Sequence, residues 1–434
     1  MKFSSRQLAL PSELLPWLPR IDSQIAILSI ARFLSEVGTG FTLFYAPIFF
    51  VNQVGLSATS VGMALASASV LGVVGKIVGG SLADSPDWGR RRTLLIAAAI
   101  SVVGSLVLAA TNNFVTLVIG RLICGLGMGF YWPASEAIVA DASEIDNRRQ
   151  TFALTRVADH LGLAIGSVLA GLWVAITGYY RGLFVIDAIS FMVFFMIVYV
   201  AINETYQPQP DESPKTQHFA SWMAALRDRR LLIYVAVNII FTTYLSQIHS
   251  TLPIYFKNFV SVGGDTPGFA ETTISTLFAG HLALAIICQF PIATALKNCS
   301  HTFALTISAI LWAVGFSLIW VTTITPSHHL LWVTLALAVF ALAIVCYTPF
   351  AASLVTDLAP ASQRGVYFSI NSLCWAMGNF IGSLVGGWAL DQPRIIVNNY
   401  WLCFALSIFI TVAILQYLNR ILARDWGTRG PLWG

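Results

Sequence analysis

The chain has 434 residues, of which 57% are hydrophobic and 10% charged, with a formal net charge of +4. Soluble chains carry roughly 45–50% apolar and about 25% charged residues, so the charges here are too few to cover a water-facing surface, whereas a lipid-facing one needs none. The small, scattered positive excess also excludes a nucleic-acid partner.

A membrane-spanning helix needs about 20 mostly apolar residues. On that criterion the first six helices are predicted at roughly 22–51, 58–83, 93–111, 113–140, 151–177 and 182–202, and six more at roughly 231–257, 272–296, 302–323, 330–356, 365–389 and 400–419. The fold class is therefore all-α integral membrane with twelve transmembrane helices. Met1 to Arg20 has no apolar core followed by a small-residue cleavage site, so the first helix is expected to serve as its own uncleaved insertion signal. Between the two sets lies a polar stretch, 203–230, in which Trp222, Met223 and Leu226 recur at helical spacing and predict a short interfacial helix. The expected organisation is an N-terminal six-helix bundle (1–202), a cytoplasmic linker (203–230) and a C-terminal six-helix bundle (231–434). Cys124, Cys288, Cys299, Cys346, Cys374 and Cys403 form no CxxC pair and fall almost entirely in apolar runs, which makes them small hydrophobes rather than metal ligands or disulfides.

Loop charge orients the helices. With Lys2 and Arg6 inside, the inner loops collect Arg90, Arg91, Arg92, Arg148, Arg149, Arg227, Arg229, Arg230, Lys297, Arg364 and Arg420, against Arg181, Lys257 and Arg394 outside. Both termini are thus expected in the cytoplasm.

The chain also repeats itself. At a shift of 216 residues Tyr131 meets Tyr347, Pro133 meets Pro349, Asp141 meets Asp357, Arg148 meets Arg364, Gly162 meets Gly378 and Gly166 meets Gly382. At a shift of 206, Pro47-Ile-Phe-Phe-Val-Asn52 meets Pro253-Ile-Tyr-Phe-Lys-Asn258. Matched Asp, Arg, Pro and Gly at fixed spacing indicate a duplicated six-helix unit, with a pseudo-twofold axis along the membrane normal and a seam at mid-membrane. Rocking one bundle against the other would expose that seam to each side in turn.

Gly80-Ser-Leu-Ala-Asp84, then Gly89-Arg90-Arg91-Arg92, resembles the loop 2–3 motif of the major facilitator superfamily, G-x-x-x-D-[RK]-x-G-[RK]-[RK], with two extra residues before Gly89 and Ser85 in a basic slot. The resemblance implies a cytoplasmic latch between bundles, built here from Gly80, Asp84, Gly89, Arg90 and Arg91, with Asp141, Arg148, Asp357 and Arg364 as companions. The alternative reading of the Arg run is ordinary positive-inside topology. Arg121, followed by Gly125, Gly127 and Gly129, resembles the family's fourth-helix R-x-x-x-G motif. An arginine at that depth costs about 2.5–3.5 kcal/mol unless paired or hydrated; snorkelling to the outer interface is the alternative. Gly162 to Gly171 is similar to the antiporter motif G-x-x-x-G-P-x-x-G-G with Ser167 in the Pro slot, and is read first as helix packing. The resemblance covers essentially the whole chain and extends to the proton-coupled drug exporters.

Charges inside the first half are the candidate coupling groups. Arg32 and Glu36 lie one turn apart on the first helix, Asp159 and His160 lie on the fifth, and Lys76, read as snorkelling, lies on the second. At i,i+4 Glu36 is expected to pair with Arg32, and Asp159 with Arg121 or Arg32. A carboxylate whose partner changes during rocking would bind and release a proton once per cycle; a static salt-bridge network is the alternative. In place of mid-helix acids the second half offers Asn238, Tyr244, Gln247, His249, His281, Asn371 and Trp375. With Tyr45 they are the candidate substrate-cavity residues. With no Walker A run, metal-ligand spacing or nucleophile constellation, neither an enzyme nor ATP-driven pumping is expected, and no cofactor beyond a proton gradient.

The leading expectation is a monomeric, multi-pass bacterial inner-membrane transporter that exports a small amphipathic or hydrophobic compound against protons. Its expected partners are that substrate, the proton and the lipid bilayer. A nutrient importer or facilitator is one alternative, and a transporter-like membrane scaffold or assembly factor is another.

Overall fold

The computed structural model describes residues 22–143, 148–206, 222–260, 268–296, 299–360 and 364–427. Among them there are helices and no strands, and twelve helices are long and apolar enough to cross a membrane. We number these α1 (Ser23–Leu43, continued by Tyr45–Asn52), α2 (Ala58–Ala83), α3 (Gly89–Ala109), α4 (Phe114–Ala142), α5 (Arg148–Thr177) and α6 (Arg181–Ala201). The second set is α7 (Arg229–Ser250, continued by Leu252–Asn258), α8 (Glu271–Ala295), α9 (His301–Ile324), α10 (His329–Leu358), α11 (Arg364–Leu390) and α12 (Arg394–Leu406, continued by Ile408–Gly427). The expected short helix is present at 222–227, with Met223 and Leu226 exposed and Ala225 buried.

Two predicted boundaries move, for local reasons. Helix α3 starts at Gly89 rather than near 93. A run of arginines opposes the positive end of the helix dipole, but the Glu204 carboxylate just past α6 accepts from the backbone N–H groups of Arg90 (2.9 Å) and Arg91 (3.1 Å) and supplies the missing cap. Gly89 sits at φ +73°, and a Cβ there would strike Glu204, so glycine is required twice over. Helix α12 begins at Arg394 rather than near 400. Its polar first turns find partners: Arg394 donates to the Phe259 carbonyl, 135 residues away (2.7 Å), and Asn399 to that of Ile395 (3.0 Å).

The repeat reappears in the backbone. Pro47 and Pro253 lack an N–H and crowd the carbonyl one turn back, and α1 and α7 break just ahead of them, at Phe44 and Thr251. In both halves glycines bring helices to backbone contact. A Cβ on Gly162 or Gly166 of α5 would collide with the carbonyls of Phe33 or Val37 on α1. On α11, a Cβ on Gly378 or Gly382 would collide with the side-chain hydroxyls of Thr242 or Ser246 on α7.

The chain forms two compact units. Unit 1 gathers α1, α3–α6, α2 from Met63 onward, and Glu271–Leu282. Unit 2 gathers α7, α9–α12, Ser57–Gly62, and α8 from Ala283 onward. The two helix ends that depart from the sequence halves are hydrogen-bonded where they lie. In unit 2 the Asp391 carboxylate caps α2 through Ala58 N (3.0 Å) and Thr59 N (2.7 Å). In unit 1 Glu271 accepts from Tyr45 Oη (2.6 Å, backbone oxygen) and Tyr180 Oη (2.8 Å, carboxylate). The core of unit 1 includes Leu28, Leu94, Phe130, Tyr131, Ile138 and Phe194. Unit 2 instead stacks aromatics: Tyr244, Trp312, Phe316, Phe340 and Phe404, with ring centroids 5.0–5.8 Å apart. Large apolar side chains such as Ile176, Val200 and Phe409 point outward, as a lipid-facing surface requires.

Candidate functional site: a buried charge cluster in unit 1

Arg32 on α1 is 1% exposed and forms a bidentate ion pair with Asp159 on α5, Nε–Oδ1 2.9 Å and Nη2–Oδ2 2.5 Å. Its third nitrogen donates to Ser135 Oγ on α4 (3.0 Å). The planar guanidinium fork matches a carboxylate edge, and this is the strongest pairing geometry available to it. Arg156, one turn before Asp159, reaches the same carboxylate at 3.9 Å and also pairs with Glu136 of α4. The Trp132 ring faces both guanidinium groups, 5.3 Å from Arg32 and 4.8 Å from Arg156.

Glu36 corrects the sequence expectation. It is buried, at 6% exposure, but Arg32 is fully engaged by Asp159 and Ser135, and Glu36 forms no hydrogen bond or ion pair among the described residues. Of the two partners expected for Asp159, the structure selects Arg32. Among the described residues Arg121 makes no ion pair, and its Nε is buried without a hydrogen-bond partner. Asp187 of α6, 7% exposed, accepts from Ser105 Oγ of α3 (2.6 Å), while its other oxygen is buried without a partner. Arg121 and Asp187 attract one another electrostatically. Glu136, Arg156 and Asp187 were missed at the sequence level, although the signal that found Asp159, a charge inside an apolar run, was present for each. His160 is exposed and its Nδ1 lies 2.7 Å from the Arg156 carbonyl; Lys76 is half-buried.

The expected latch residues are engaged within unit 1. Arg90 pairs with Asp141 at the end of α4 and lies 3.7 Å from the exposed Asp84, two residues past Leu82 of the Gly80 turn. Arg91 donates to the Tyr199 carbonyl (2.5 Å) and lies over that residue's ring. In unit 2 the repeat partner of Asp141, Asp357, pairs with His301 at 2.8 Å. The side chains of Arg148 and Arg364 lie outside the described residues.

Several candidate cavity residues are committed to packing instead. Asn238 (1% exposed) donates to Asn371 Oδ1 (2.8 Å) and accepts from Tyr347 Oη (2.5 Å), and Tyr234 Oη also donates to Asn371 (2.7 Å). Gln247 donates to the Gly382 carbonyl (3.1 Å) and accepts from Tyr400 Oη (2.7 Å). Tyr244 pairs with Ser407 (2.5 Å), and Tyr45 with Glu271. As buried amides and phenols they must find partners inside the protein, and doing so removes Tyr45, Asn238, Tyr244 and Gln247 as open substrate donors in this conformation. His281 is buried; His249, Asn371 and Trp375 are half-buried, with Trp375 beside Tyr347.

Among the described residues twelve helices are long and apolar enough to cross a membrane, and a buried ionic cluster lies within unit 1, which marks a multi-pass membrane protein. The chain matches the Major Facilitator Superfamily over residues 28–264 and 260–429 and belongs to that family. It is 24% identical to the multidrug resistance protein MdtH of Aeromonas hydrophila over 418 residues (94% of this chain, 96% of the relative). It is also 24% identical to a Na+, Li+, K+/H+ antiporter of Planococcus maritimus over 368 residues (78% and 83%). Among solved structures, the nucleoside transporter NupG superposes with a TM-score of 0.74 at 16% identity, covering 91% of this chain and 99% of NupG.

Proposed function

We propose that this transporter exchanges protons for a small amphipathic or hydrophobic compound, exporting it across a bacterial inner membrane by alternating access, as a monomer with both termini in the cytoplasm and no cofactor beyond the proton gradient. The observation that carries the reading is Glu36. Around it, Arg32 and Arg156 are offset by Asp159 and Glu136, so the Glu36 carboxylate holds the remaining charge of the cluster. Protonating it leaves the cluster neutral, and releasing the proton leaves one negative charge on a carboxylate that is only 6% exposed. A rocking motion that changes the solvent access of Glu36 therefore couples to proton binding, while the fully paired Asp159 holds α1, α4 and α5 in register. The names of two relatives, a multidrug resistance protein and a cation/proton antiporter, agree with this chemistry.

The test begins with a thermal-shift screen of the purified protein against a chemically diverse library, followed by flux of the best hit in vesicles. An imposed proton gradient drives counter-flux of the hit in the unaltered protein. In Glu36→Gln that flux falls to the leak of empty vesicles while the thermal shift by the hit survives. Full gradient-driven flux in Glu36→Gln overturns the proton assignment.

A further inference from the structure

A groove of about 510 Å³ opens on the surface of unit 2 between α7 and α12. Leu232 and Ile233 of α7 and Ala413 and Ile414 of α12 line its walls, and Arg229 and Tyr417 stand at one end. That end lies on the side to which loop charge assigns the cytoplasm. The two neighbouring arginines there are treated differently. Arg230 is neutralised by Asp228, with Nε 3.3 Å from Oδ1. Arg229 has no carboxylate partner among the described residues; it donates to Tyr417 Oη, and its Cζ lies 5.5 Å from the centre of that ring.

We propose that this groove binds an anionic phospholipid, with one acyl chain along the α7–α12 walls and the phosphodiester at Arg229 and Tyr417. Three features fit that occupant together. The walls are apolar and outward-facing in a membrane-spanning segment, where the available apolar ligand is an acyl chain. The cation at the mouth has no carboxylate partner among the described residues, and its guanidinium retains N–H groups beyond the one given to Tyr417, enough for a bidentate phosphate contact. Because Tyr417 Oη accepts from Arg229, its own proton is free to donate to a second phosphate oxygen. Arg420, one turn beyond Tyr417 and exposed, adds positive charge to the same end.

Native mass spectrometry of the full-length protein, titrated with phosphatidylglycerol or with phosphatidylcholine of identical acyl chains, tests this. The unaltered protein retains phosphatidylglycerol in preference. Arg229→Gln abolishes the preference, and Tyr417→Phe weakens it, whereas Arg394→Gln, which removes an equal charge on the opposite side, leaves it intact. Ala413→Leu, which fills the groove and keeps every charge, reduces retention of phosphatidylglycerol. An unaltered protein that retains both lipids equally, or an Arg229→Gln protein with the full preference, overturns the proposal. All of these residues are outside the charge cluster of unit 1, so neither result bears on proton coupling.

Discussion

The same helix position carries an ion in unit 1 and an amide in unit 2. At the shift that aligns the Pro47 and Pro253 segments, Arg32 falls on Asn238 and Glu36 on Thr242. Arg32 is held by Asp159 and Ser135; Asn238 is held by Tyr347 and Asn371. Tyr347 is itself the repeat partner of Tyr131, whose buried hydroxyl meets no hydrogen-bond partner of good geometry among the described residues. Both units thus tie their first helix to the next repeat helices through a buried polar centre, and the glycine contacts beside it are shared. What differs is the currency of the centre: charges in unit 1, neutral hydrogen bonds in unit 2. A scaffold needs the second kind alone. A buried ionic cluster with one unmatched carboxylate is costly to keep, and among the described residues it lies in unit 1 alone.

The sharpest way to break this comparison is to remove one member of each centre. Asp159→Asn leaves Arg32 buried without its counter-ion, an effect of about 3–5 kcal/mol in folded proteins. Asn238→Ala removes neutral hydrogen bonds, which within membranes average about 1 kcal/mol or less. Thermal unfolding in one detergent should therefore rank Asp159→Asn well below Asn238→Ala, with the unaltered protein highest. Equal losses would mean that the ionic and neutral centres are interchangeable in folding, and that charge is not what distinguishes unit 1.

Most of the fold was legible because hydropathy reads burial in lipid directly, and ten of the twelve helices begin within about three residues of their expected positions. In the two that do not, α3 and α12, the first turns are stabilised from elsewhere in the chain, by Glu204 and by the Phe259 carbonyl. The site was legible as a list of charges but not as a set of pairs. Helical spacing placed Glu36 within reach of Arg32, but the choice was made by Asp159, 127 residues away, whose carboxylate edge meets the guanidinium fork. Likewise the polar groups of Asn238 and Gln247 looked available because nothing local in the sequence marks Tyr347 or Tyr400 as their partners.

The caps of α3 and its repeat counterpart α9 extend the comparison at smaller cost. Helix α9 is capped locally, by Ser300 Oγ accepting from Phe303 N at 3.3 Å, whereas α3 relies on Glu204 from beyond α6. Glu204→Gln keeps the side chain's length but weakens two charge-assisted bonds and uncovers the arginine run, which should cost about 1 kcal/mol. Hydrogen exchange at the Arg90 and Arg91 amides should rise in this variant, with the α9 amides unchanged. If exchange at α3 is unaltered, the cap is not what permits a helix to start in that arginine run.

The smallest effect lies at the start of α7, where Asp228 accepts from Arg230 N (2.9 Å) and from Tyr367 Oη (2.8 Å). Partial burial pushes its pKa up, but the hydrogen bonds from Tyr367 and Arg230 outweigh it and hold the carboxyl below its ordinary value. A depressed pKa in the folded state means that the stabilisation is complete above the unfolded value of about 3.9 and is lost as pH falls from there through the folded pKa. Asp228→Asn should therefore be less stable than the unaltered protein at pH 7, with the gap closing only below about pH 4. Unit 1 supplies the contrast: there a proton is proposed to act at Glu36 within the membrane, whereas Asp228 stays ionised through the whole working range and serves structure alone. A gap that narrows already between pH 5 and pH 7 would place a titrating group at the start of α7 and end that distinction between the units.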